Sequence, residues 1–268
     1  MKIWAVSNQK GGVGKTTTVV ALGGLLSAWG YRTLLVDLDS HGALTSYFKM
    51  NPDGIEGSVY NLFHDASLKR KDASLESYIV ATDIENLSIL PASTALATLD
   101  RQVASMNGMG LVIANALKKI EDQYDYVIID SPPVLGILMI NALAACERLI
   151  LPVLAEFLAL QGLDRMLRTL KMVFNAHKHP PNYIIVPTMF DKRTKEAHEN
   201  LQSLNKQYPD YMWGSVIPID TKFREASRLG IPGPLYVPTS KASEAYAELL
   251  EVLLQAPRIK SKQSGSGS

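Results

Sequence analysis

Short apolar runs rich in β-branched residues alternate along the chain with stretches whose apolar residues recur at helical spacing. The apolar runs predict buried strands, and they cover Ile3–Ser7, Thr33–Leu38, Leu87–Leu90, Tyr126–Ile129, Arg148–Val153, Tyr183–Val186 and Gly214–Ile217. The helical stretches include Lys15–Trp29, Gly110–Gln123, Leu160–His177, Lys195–Tyr208 and Ser240–Leu254. This alternation predicts an α/β fold with a doubly wound, mainly parallel sheet flanked by helices. Ligands of such folds bind beyond the carboxyl ends of the strands.

Two segments depart from the alternation. Asn51–Ala81 has weaker periodicity and more turn residues, which predicts an insertion of short helices and loops. Residues 257–268 predict a flexible tail, because Ser264–Ser268 alternates serine with glycine and resembles an artificial linker left from cloning. Since the rest has no internal repeat and no clear boundary, residues 1–256 are expected to form a single domain.

Composition narrows the class of protein. The 268 residues are 47% hydrophobic and 20% charged, which is typical of a globular protein with a sizeable core. No apolar run approaches the roughly 20 residues that span a bilayer, and no signal-peptide pattern precedes the first strand. A cytosolic protein is therefore expected. The single cysteine, Cys146, excludes an intrachain disulfide, and the balance of 27 basic and 26 acidic residues neither requires nor excludes a polyanionic partner.

Candidate chemistry begins directly after the first predicted strand. A glycine-rich loop between a strand and a helix is typical of phosphate binding, because glycines let backbone N–H groups turn inward around phosphates. Lys15 is expected to reach the β and γ phosphates, and the Thr16 hydroxyl to ligate Mg²⁺. The predicted nucleotide contacts in this phosphate loop are Lys10, Gly11, Gly12, Val13, Gly14, Lys15, Thr16 and Thr17.

The phosphate loop departs from the general pattern at two positions. Gln9 stands where the pattern has glycine, and Lys10 adds a second lysine. Lys10 cannot easily fold back onto phosphates that Lys15 already holds, so a second molecule is expected to use it. Across a symmetric dimer, Lys10 would neutralise charge on the partner's phosphates, as an arginine finger does in trans.

Carboxylates end two further predicted strands. Asp37 and Asp39 follow one strand, and Asp130 ends another. Asp130 suits the Mg²⁺ shell, usually through a water, and the predicted metal-site residues are Thr16, Asp39 and Asp130. Asp39 is also expected to orient the attacking water in line with the γ-phosphate. The alternative for Asp39 and Asp130 is a strand-terminal residue that only caps the next helix, and Asp37 is expected to be structural.

These motifs together resemble the deviant-Walker P-loop ATPases of the ParA/MinD family, and more closely the ParA branch. The resemblance rests on Lys10–Thr17, Val36–Asp39 and Ile129–Pro133, and it extends through Leu158–Leu163, Thr188–Arg193, Val216–Pro218 and Phe223–Ser227 to about Leu254. It implies a Mg²⁺-dependent ATP hydrolase that forms an ATP-sandwich dimer. Its implied residue roles are a signature lysine at Lys10, a water-activating carboxylate at Asp39, a Mg²⁺-linked Asp130, and adenine contacts at Met189 and Pro218.

The resemblance also implies a cycle in which the ATP-bound dimer binds nonspecific DNA and an adaptor on the cargo stimulates hydrolysis. The implied DNA contacts are Lys192, Arg193, Lys222 and Arg224. Two features depart from this pattern. The usual Pro-Arg-Asn is replaced by Pro218-Ile-Asp220, which removes a positive charge, and no helix-turn-helix precedes the phosphate loop, so operator binding is not expected. The expected location is the cytoplasm, at the nucleoid or a pole.

The cargo stays open between a chromosome or plasmid and a polar chemotaxis array. Ser40 and His41 follow Asp39, where most ParA proteins have Pro-Gln. This variant with His41 resembles the orphan ParA proteins, called ParC, that position chemotaxis arrays. The alternative for His41 is a turn residue without a chemical role. Rival classes are a membrane-associated positioning ATPase of the MinD or flagellar-number type, a metabolic ligase, and a nucleotide-gated scaffold. The membrane type needs a basic amphipathic C-terminal helix, a region that Pro257 interrupts.

Overall fold

The computed structural model describes residues 1–70, 74–103, 106, 108–156, 159–174 and 182–255. Seven strands in this part of the chain form one sheet: β1 (Lys2–Val6), β2 (Thr33–Asp37), β3 (Val80–Ala81), β4 (Leu87–Leu90), β5 (Tyr126–Asp130), β6 (Arg148–Leu154) and β7 (Asn182–Thr188). Their order is β3-β4-β2-β5-β1-β6-β7, and only the β3–β4 pair is antiparallel. The predicted mainly parallel sheet is confirmed.

One predicted strand is wrong. Gly214–Ile217 runs beside the edge strand β7 but does not form a regular strand. The Trp213 N–H donates to the Ile185 carbonyl at 2.9 Å, and the Ile217 N–H donates to the Pro187 carbonyl at 2.8 Å. Between these two bonds the segment advances four residues, from Trp213 to Ile217, whereas β7 advances only two, from Ile185 to Pro187. This bulge, together with the missing N–H of Pro187, interrupts the ladder that the apolar pattern predicted.

The helices follow the predicted alternation. They are α1 (Lys15–Ala28), α2 (Ala43–Tyr47), α3 (Val59–Ser67), α4 (Leu96–Val103), α5 (Val112–Lys118), α6 (Ile137–Ala145), α7 (Ala159–Phe174), α8 (Lys195–Gln207), α9 (Lys222–Leu229), α10 (Gly233–Tyr236) and α11 (Lys241–Gln255). Single 3₁₀ turns lie at Leu75–Tyr78 and Met109–Leu111. Among the described residues, no helix is long and apolar enough to cross a membrane. The predicted tail at 257–268 and residues 175–177 of a predicted helix lie outside them.

Alternate strand residues pack into two separate cores, one on each face of the sheet. Val127 and Ile129 of β5 pack with the apolar residues of α3 to α7. Tyr126 and Ile128 of the same strand pack with α1 and α11 on the other face. Because successive side chains of a strand point to opposite faces, both faces of the central strands must be apolar. The doubly wound arrangement therefore follows from continuous apolar runs.

Helix α1 is enclosed between the sheet and an outer layer formed by α10 and α11. Its residues from Thr18 to Ser27 are buried. A Cβ at Gly24 would lie 2.4 Å from the Pro232 Cβ, so glycine allows the segment before α10 to approach this closely. Since β1 lies between β5 and β6, the chain that leaves β1 and enters α1 places its connecting loop at the centre of the sheet's carboxyl edge. The rigid packing of α1 thus fixes the phosphate loop.

We expect Leu22→Ala, in the enclosed face of α1, to lower the free energy of unfolding by about 2–5 kcal/mol, because it leaves a cavity in a fully buried position. The matched control is Leu229→Ala at the end of α9, where the leucine side chain is exposed and the change should stay within about 0.5 kcal/mol. Denaturant unfolding measures both. Equal effects of the two substitutions would contradict the packing described for α1.

Candidate nucleotide-binding site

The phosphate loop lies at the carboxyl end of β1 and is held by contacts within the protein. Gly12 and Gly14 adopt φ values of 74° and 84°, a left-handed conformation that favours glycine. The Asn8 side chain donates from Nδ2 to the Pro152 carbonyl at 2.7 Å, and its Oδ1 accepts from the Lys10 N–H at 3.0 Å. The loop is therefore anchored to β6 and curved before any ligand binds.

Lys15 is the first residue of α1, and its side chain is largely buried. Its Nζ lies 3.5 Å from the Lys10 carbonyl oxygen. Burial lowers the pKa of Lys15, while the charges of Asp130 and Asp39 act in the opposite direction. Within the described part of the chain, no side chain caps the N-terminus of α1 at Gly14. The first N–H groups of the helix and the Lys15 ammonium are therefore available to an anion.

Lys10 does not point into its own phosphate loop. Its Nζ forms an ion pair with the Glu156 Oε2 at 2.7 Å, just beyond the end of β6. Both side chains are partly exposed, so the pair contributes little to stability and can be exchanged for another partner. The side chain of Lys10 thus contacts Glu156, and the role predicted for it in a second molecule stays a prediction.

Asp130 and Thr16 form the part of the site that suits a metal ion. The Thr16 hydroxyl donates to the Asp130 Oδ2 at 2.6 Å. The Asp130 Oδ1 and the hydroxyls of Ser7 and Ser131 are buried and have no hydrogen-bond partner among the described residues. Burial and the neighbouring charge of Asp37 raise the pKa of Asp130. A cation here would satisfy the orphaned oxygen and favour the charged carboxylate, so these residues fit Mg²⁺.

The number of protein ligands also suits Mg²⁺. No three His, Cys, Asp or Glu side chains come together as metal ligands in the described ranges. Mg²⁺ usually keeps several waters and binds through one or two carboxylates plus substrate phosphates, whereas a structural zinc site needs a closed protein cage. One hydroxyl and one carboxylate beside the phosphate loop are therefore enough protein ligands for a Mg²⁺ site.

Asp37 is fully buried and anchors the segment that follows β2. Its Oδ2 accepts from the Thr45 N–H at 2.9 Å and the Thr45 hydroxyl at 2.7 Å, and its Oδ1 accepts from the Asp39 N–H at 3.1 Å. The Thr45 hydroxyl also accepts from the Ala92 N–H at 2.8 Å. Burial raises the pKa of Asp37. These bonds match the structural role predicted for Asp37.

Asp39 is held differently. Its Oδ1 accepts from the His41 N–H at 3.0 Å and lies 2.8 Å from the His41 Nδ1. No described residue donates a hydrogen bond to the other oxygen, Oδ2. The carboxylate therefore has one oxygen available to a water or a metal-bound ligand, and its roles at the water and the metal stay predictions.

The predicted adenine contacts come together at the same edge of the sheet. Met189 follows β7, and its methyl carbon lies 3.6 Å from the position of a Cβ at Gly14. Phe190 pairs with Pro218 as an isolated bridge, which brings Pro218 close to Met189 in the fold. A cleft of about 470 Å³ opens there and includes Gly12 and Met189 in its lining. Met189 and Pro218 therefore stay candidates for contacts with the base.

The four predicted DNA contacts are all exposed and follow the Phe190–Pro218 bridge. They are not equivalent. Arg193 forms a bidentate ion pair with Asp191, with distances of 2.9 and 2.7 Å, and this pair lowers the pKa of Asp191 to about 2. Lys222 and Arg224 lie on the first turn of α9. Because the charge of Arg193 is already compensated, Lys192, Lys222 and Arg224 are the better candidates of the four.

Comparisons with known proteins agree with this geometry. A family model described as an AAA domain matches residues 1–180. The sporulation initiation inhibitor protein Soj of Bacillus subtilis is 38% identical over 252 residues, which are 92% of this chain and 96% of Soj. The chromosome partitioning protein ParA of Myxococcus xanthus is 32% identical, and the match covers 97% of this chain and 90% of that protein. The chain belongs to the ParA family of ATPases.

Solved structures extend the likeness to the whole fold of this ParA-family ATPase. Cobyrinic acid a,c-diamide synthase from Mycobacterium smegmatis, solved with an ATP analogue and magnesium, superposes with a TM-score of 0.81 at 32% identity. The match covers 95% of this chain and 94% of that one. The predicted P-loop fold, ATP hydrolase activity and use of ATP with Mg²⁺ are thereby confirmed for the family, and the membrane-associated alternative is not favoured.

Several residues that shape the site were missed by the sequence analysis. Thr188 donates its hydroxyl to the Val13 carbonyl at 2.8 Å and ties β7 to the phosphate loop. A polar residue at the end of an apolar strand was the available signal. Glu156 had no comparable signal, because the partner of Lys10 lies 146 positions away. Asn8 stands beside the loop motif but outside the residues that the motif names.

Thr45→Val tests the anchoring role of Asp37. It removes a buried hydroxyl that donates to Asp37 and accepts from the Ala92 N–H, so it should lower the free energy of unfolding by about 1–3 kcal/mol. Thr45→Ser keeps the hydroxyl and is the matched control. Urea unfolding with an unchanged slope measures both. If valine and serine are equally stable, the hydroxyl does not anchor the segment.

Proposed function

We propose that this ParA-family ATPase forms an ATP-sandwich dimer and uses ATP binding and slow hydrolysis to position or segregate a cellular cargo, a chromosome or plasmid or a polar chemotaxis array. The observation that carries the proposal is the direction of Lys10, whose Nζ contacts Glu156 at 2.7 Å and leaves its own phosphate loop to Lys15. A lysine in that position is useful to a nucleotide on a second subunit.

Each residue of the site has a role in this proposal. The loop N–H groups of Gly11 to Thr17 cradle the phosphates, and Lys15 neutralises charge between the β and γ phosphates. Thr16 and Asp130 hold Mg²⁺, which supplies charge neutralisation at the phosphates when bound. Asp39 orients the attacking water, and Met189 and Pro218 contact the adenine.

Dimerisation would exchange one ion pair for another. In the single chain Lys10 is paired with Glu156, and in the dimer its ammonium would lie against phosphates of the partner's nucleotide. An exposed ion pair contributes about 0–1 kcal/mol, whereas a charge-assisted bond to phosphate in a closed interface contributes more. The exchange therefore favours the dimer only when a triphosphate is present.

Nonspecific DNA is the proposed surface for the dimer, and a protein on the cargo is the proposed stimulator of hydrolysis. Lys222 and Arg224 on α9 form no ion pair within the described ranges and supply charge for phosphate contacts, with Lys192 and Arg193 beside them. Such contacts depend on charge and not on base sequence. The ATPase would then act in the cytoplasm, at the nucleoid or at a pole, and residues 1–256 would act as a single domain.

The alternative function is that of a metabolic ligase of the same fold, because the similar structure from Mycobacterium smegmatis is a cobyrinic acid a,c-diamide synthase. A ligase consumes ATP only together with the acid and the nitrogen donor that it joins. A positioning ATPase turns over ATP alone. Phosphate release by the purified chain, without any second small-molecule substrate, separates the two functions.

Asp39→Ala tests the proposed cycle. Because Asp39 orients water and does not hold phosphate, its removal should leave ATP affinity unchanged and lower hydrolysis by about 100-fold or more. The dimer should then persist in ATP and Mg²⁺, where the unaltered protein returns to monomer as ATP is consumed. Phosphate release and size-exclusion chromatography in excess ATP measure the two effects. Normal turnover by the variant would remove Asp39 from the mechanism.

Charge reversal on α9 tests the DNA surface. Arg224→Glu should weaken binding of the ATP-bound dimer to random duplex, and should reduce the slope of log K against log salt by about 1 for each lost phosphate contact. Lys118→Glu is the matched control, since Lys118 is an exposed lysine on α5 before β5 and so belongs to the opposite edge of the sheet. Equal losses for both variants would contradict a contact surface at α9.

A further inference from the structure

The turn that follows β2 directs two donors of one residue onto a single oxygen of Asp39. The Gly42 N–H donates to the Asp39 carbonyl at 2.8 Å, and Gly42 adopts a left-handed φ of 60°. A Cβ at Gly42 would lie 2.4 Å from the Pro52 Cγ, so Pro52 packs tightly against the turn. In this turn the His41 N–H and the His41 Nδ1 both reach the Asp39 Oδ1.

We propose that His41 is a positioning residue for ATP hydrolysis, which fixes the Asp39 carboxylate so that its Oδ2 faces the attacking water. The inference rests on the proposed role of Asp39 and adds a residue to which the phosphate-loop motifs assign no role. The contact at 2.8 Å requires a proton on the His41 Nδ1, because a carboxylate only accepts hydrogen bonds.

Two donors on one oxygen restrict the carboxylate more than one donor does. With only the backbone N–H at 3.0 Å, the carboxylate can still rotate about the bond to its Cβ while it keeps a bent hydrogen bond. A second donor on the side-chain ring removes that freedom, and a carboxylate held in one orientation needs no reorganisation when water attacks. The effect on rate therefore acts through the geometry of Asp39.

Because the His41 side chain is exposed, its substitution can test a positioning role without a change in folding stability. Its side chain is 81% exposed, whereas that of Asp39 is 16% exposed. Substitution of an exposed ring leaves no cavity, so the variants below should fold as stably as the unaltered chain. In the proposed mechanism Lys15 and the loop N–H groups hold the phosphates, and His41 does not. ATP affinity should therefore not change when His41 is substituted.

The chain offers a close isostere for the test. The Asn side chain carries its Nδ2 donor the same number of bonds from Cα as the His Nδ1, but it has no ring and does not titrate. His41→Ala and His41→Leu remove the donor, and leucine keeps comparable bulk. His41→Asn keeps the donor and should recover most of the rate that alanine loses.

We expect His41→Ala and His41→Leu to lower kcat for ATP hydrolysis by about 2- to 10-fold, the factor equivalent to a net hydrogen bond, with KM unchanged. Calorimetry with a non-hydrolysable ATP analogue should give the same Kd for all three variants. In the Asp39→Ala background, His41→Ala should have no further effect on kcat, because a positioning residue acts only through its partner.

The outcomes separate the inference from the function on which it rests. An unchanged kcat in His41→Ala, a kcat in His41→Asn as low as that in alanine, or a parallel loss of ATP affinity would each overturn the positioning role while Asp39→Ala still stops hydrolysis. Normal turnover in Asp39→Ala would overturn the proposed function of Asp39 itself, and the role of His41 with it.

Discussion

The burial of two carboxylates side by side at the carboxyl edge of the sheet is the constraint on which the rest of the site depends. Asp37 on β2 and Asp130 on β5 are paired in register and almost fully buried. Burial raises the pKa of both acids, and a neighbouring carboxylate raises each further, Asp39 in the case of Asp37 and Asp37 in the case of Asp130. Each therefore needs its own compensation, and the compensation differs between the two.

Asp37 is compensated within the protein, and Asp130 only in part. Three donors from Thr45 and Asp39 surround Asp37, which turns a buried charge into an anchor for the segment after β2. Among the described residues, the carboxylate of Asp130 has one donor, Thr16, and one oxygen without a partner. At this edge of the sheet, Asp37 has hydrogen-bond donors on both carboxylate oxygens, whereas Asp130 has a donor on one oxygen only among the described residues. Asp130 is also the acid that lies next to the phosphate loop. That difference favours Asp130 as the acid proposed for the cation.

Sequence patterns predicted what depends on short-range chemistry. The continuous apolar run Tyr126–Ile129 must be buried on both faces, so its strand and its place in a parallel sheet followed directly. Glycines with positive φ at Gly12 and Gly14 were likewise implied by the loop motif. What failed depends on a partner strand elsewhere in the chain. Gly214–Ile217 ends in the β-branched pair Val216 and Ile217, which is typical of a strand, but neither segment alone could predict the bulge against β7. The two-residue antiparallel strand β3 was not predicted either.

Hydrogen bonds between segments that are distant in sequence could not be predicted around the site for the same reason. Tyr47 at the end of α2 donates its hydroxyl to the Ile231 carbonyl at 2.8 Å, and Lys49 donates to the Arg228 carbonyl in the last turn of α9. Thr45 on α2 is bonded to Asp37, so the same short helix contacts the buried acid at the end of β2 and, through Tyr47, the segment that follows α9. The bonds from Tyr47 and Lys49 end on backbone carbonyls, which every residue carries, so the residue types at positions 228 and 231 could not have indicated them.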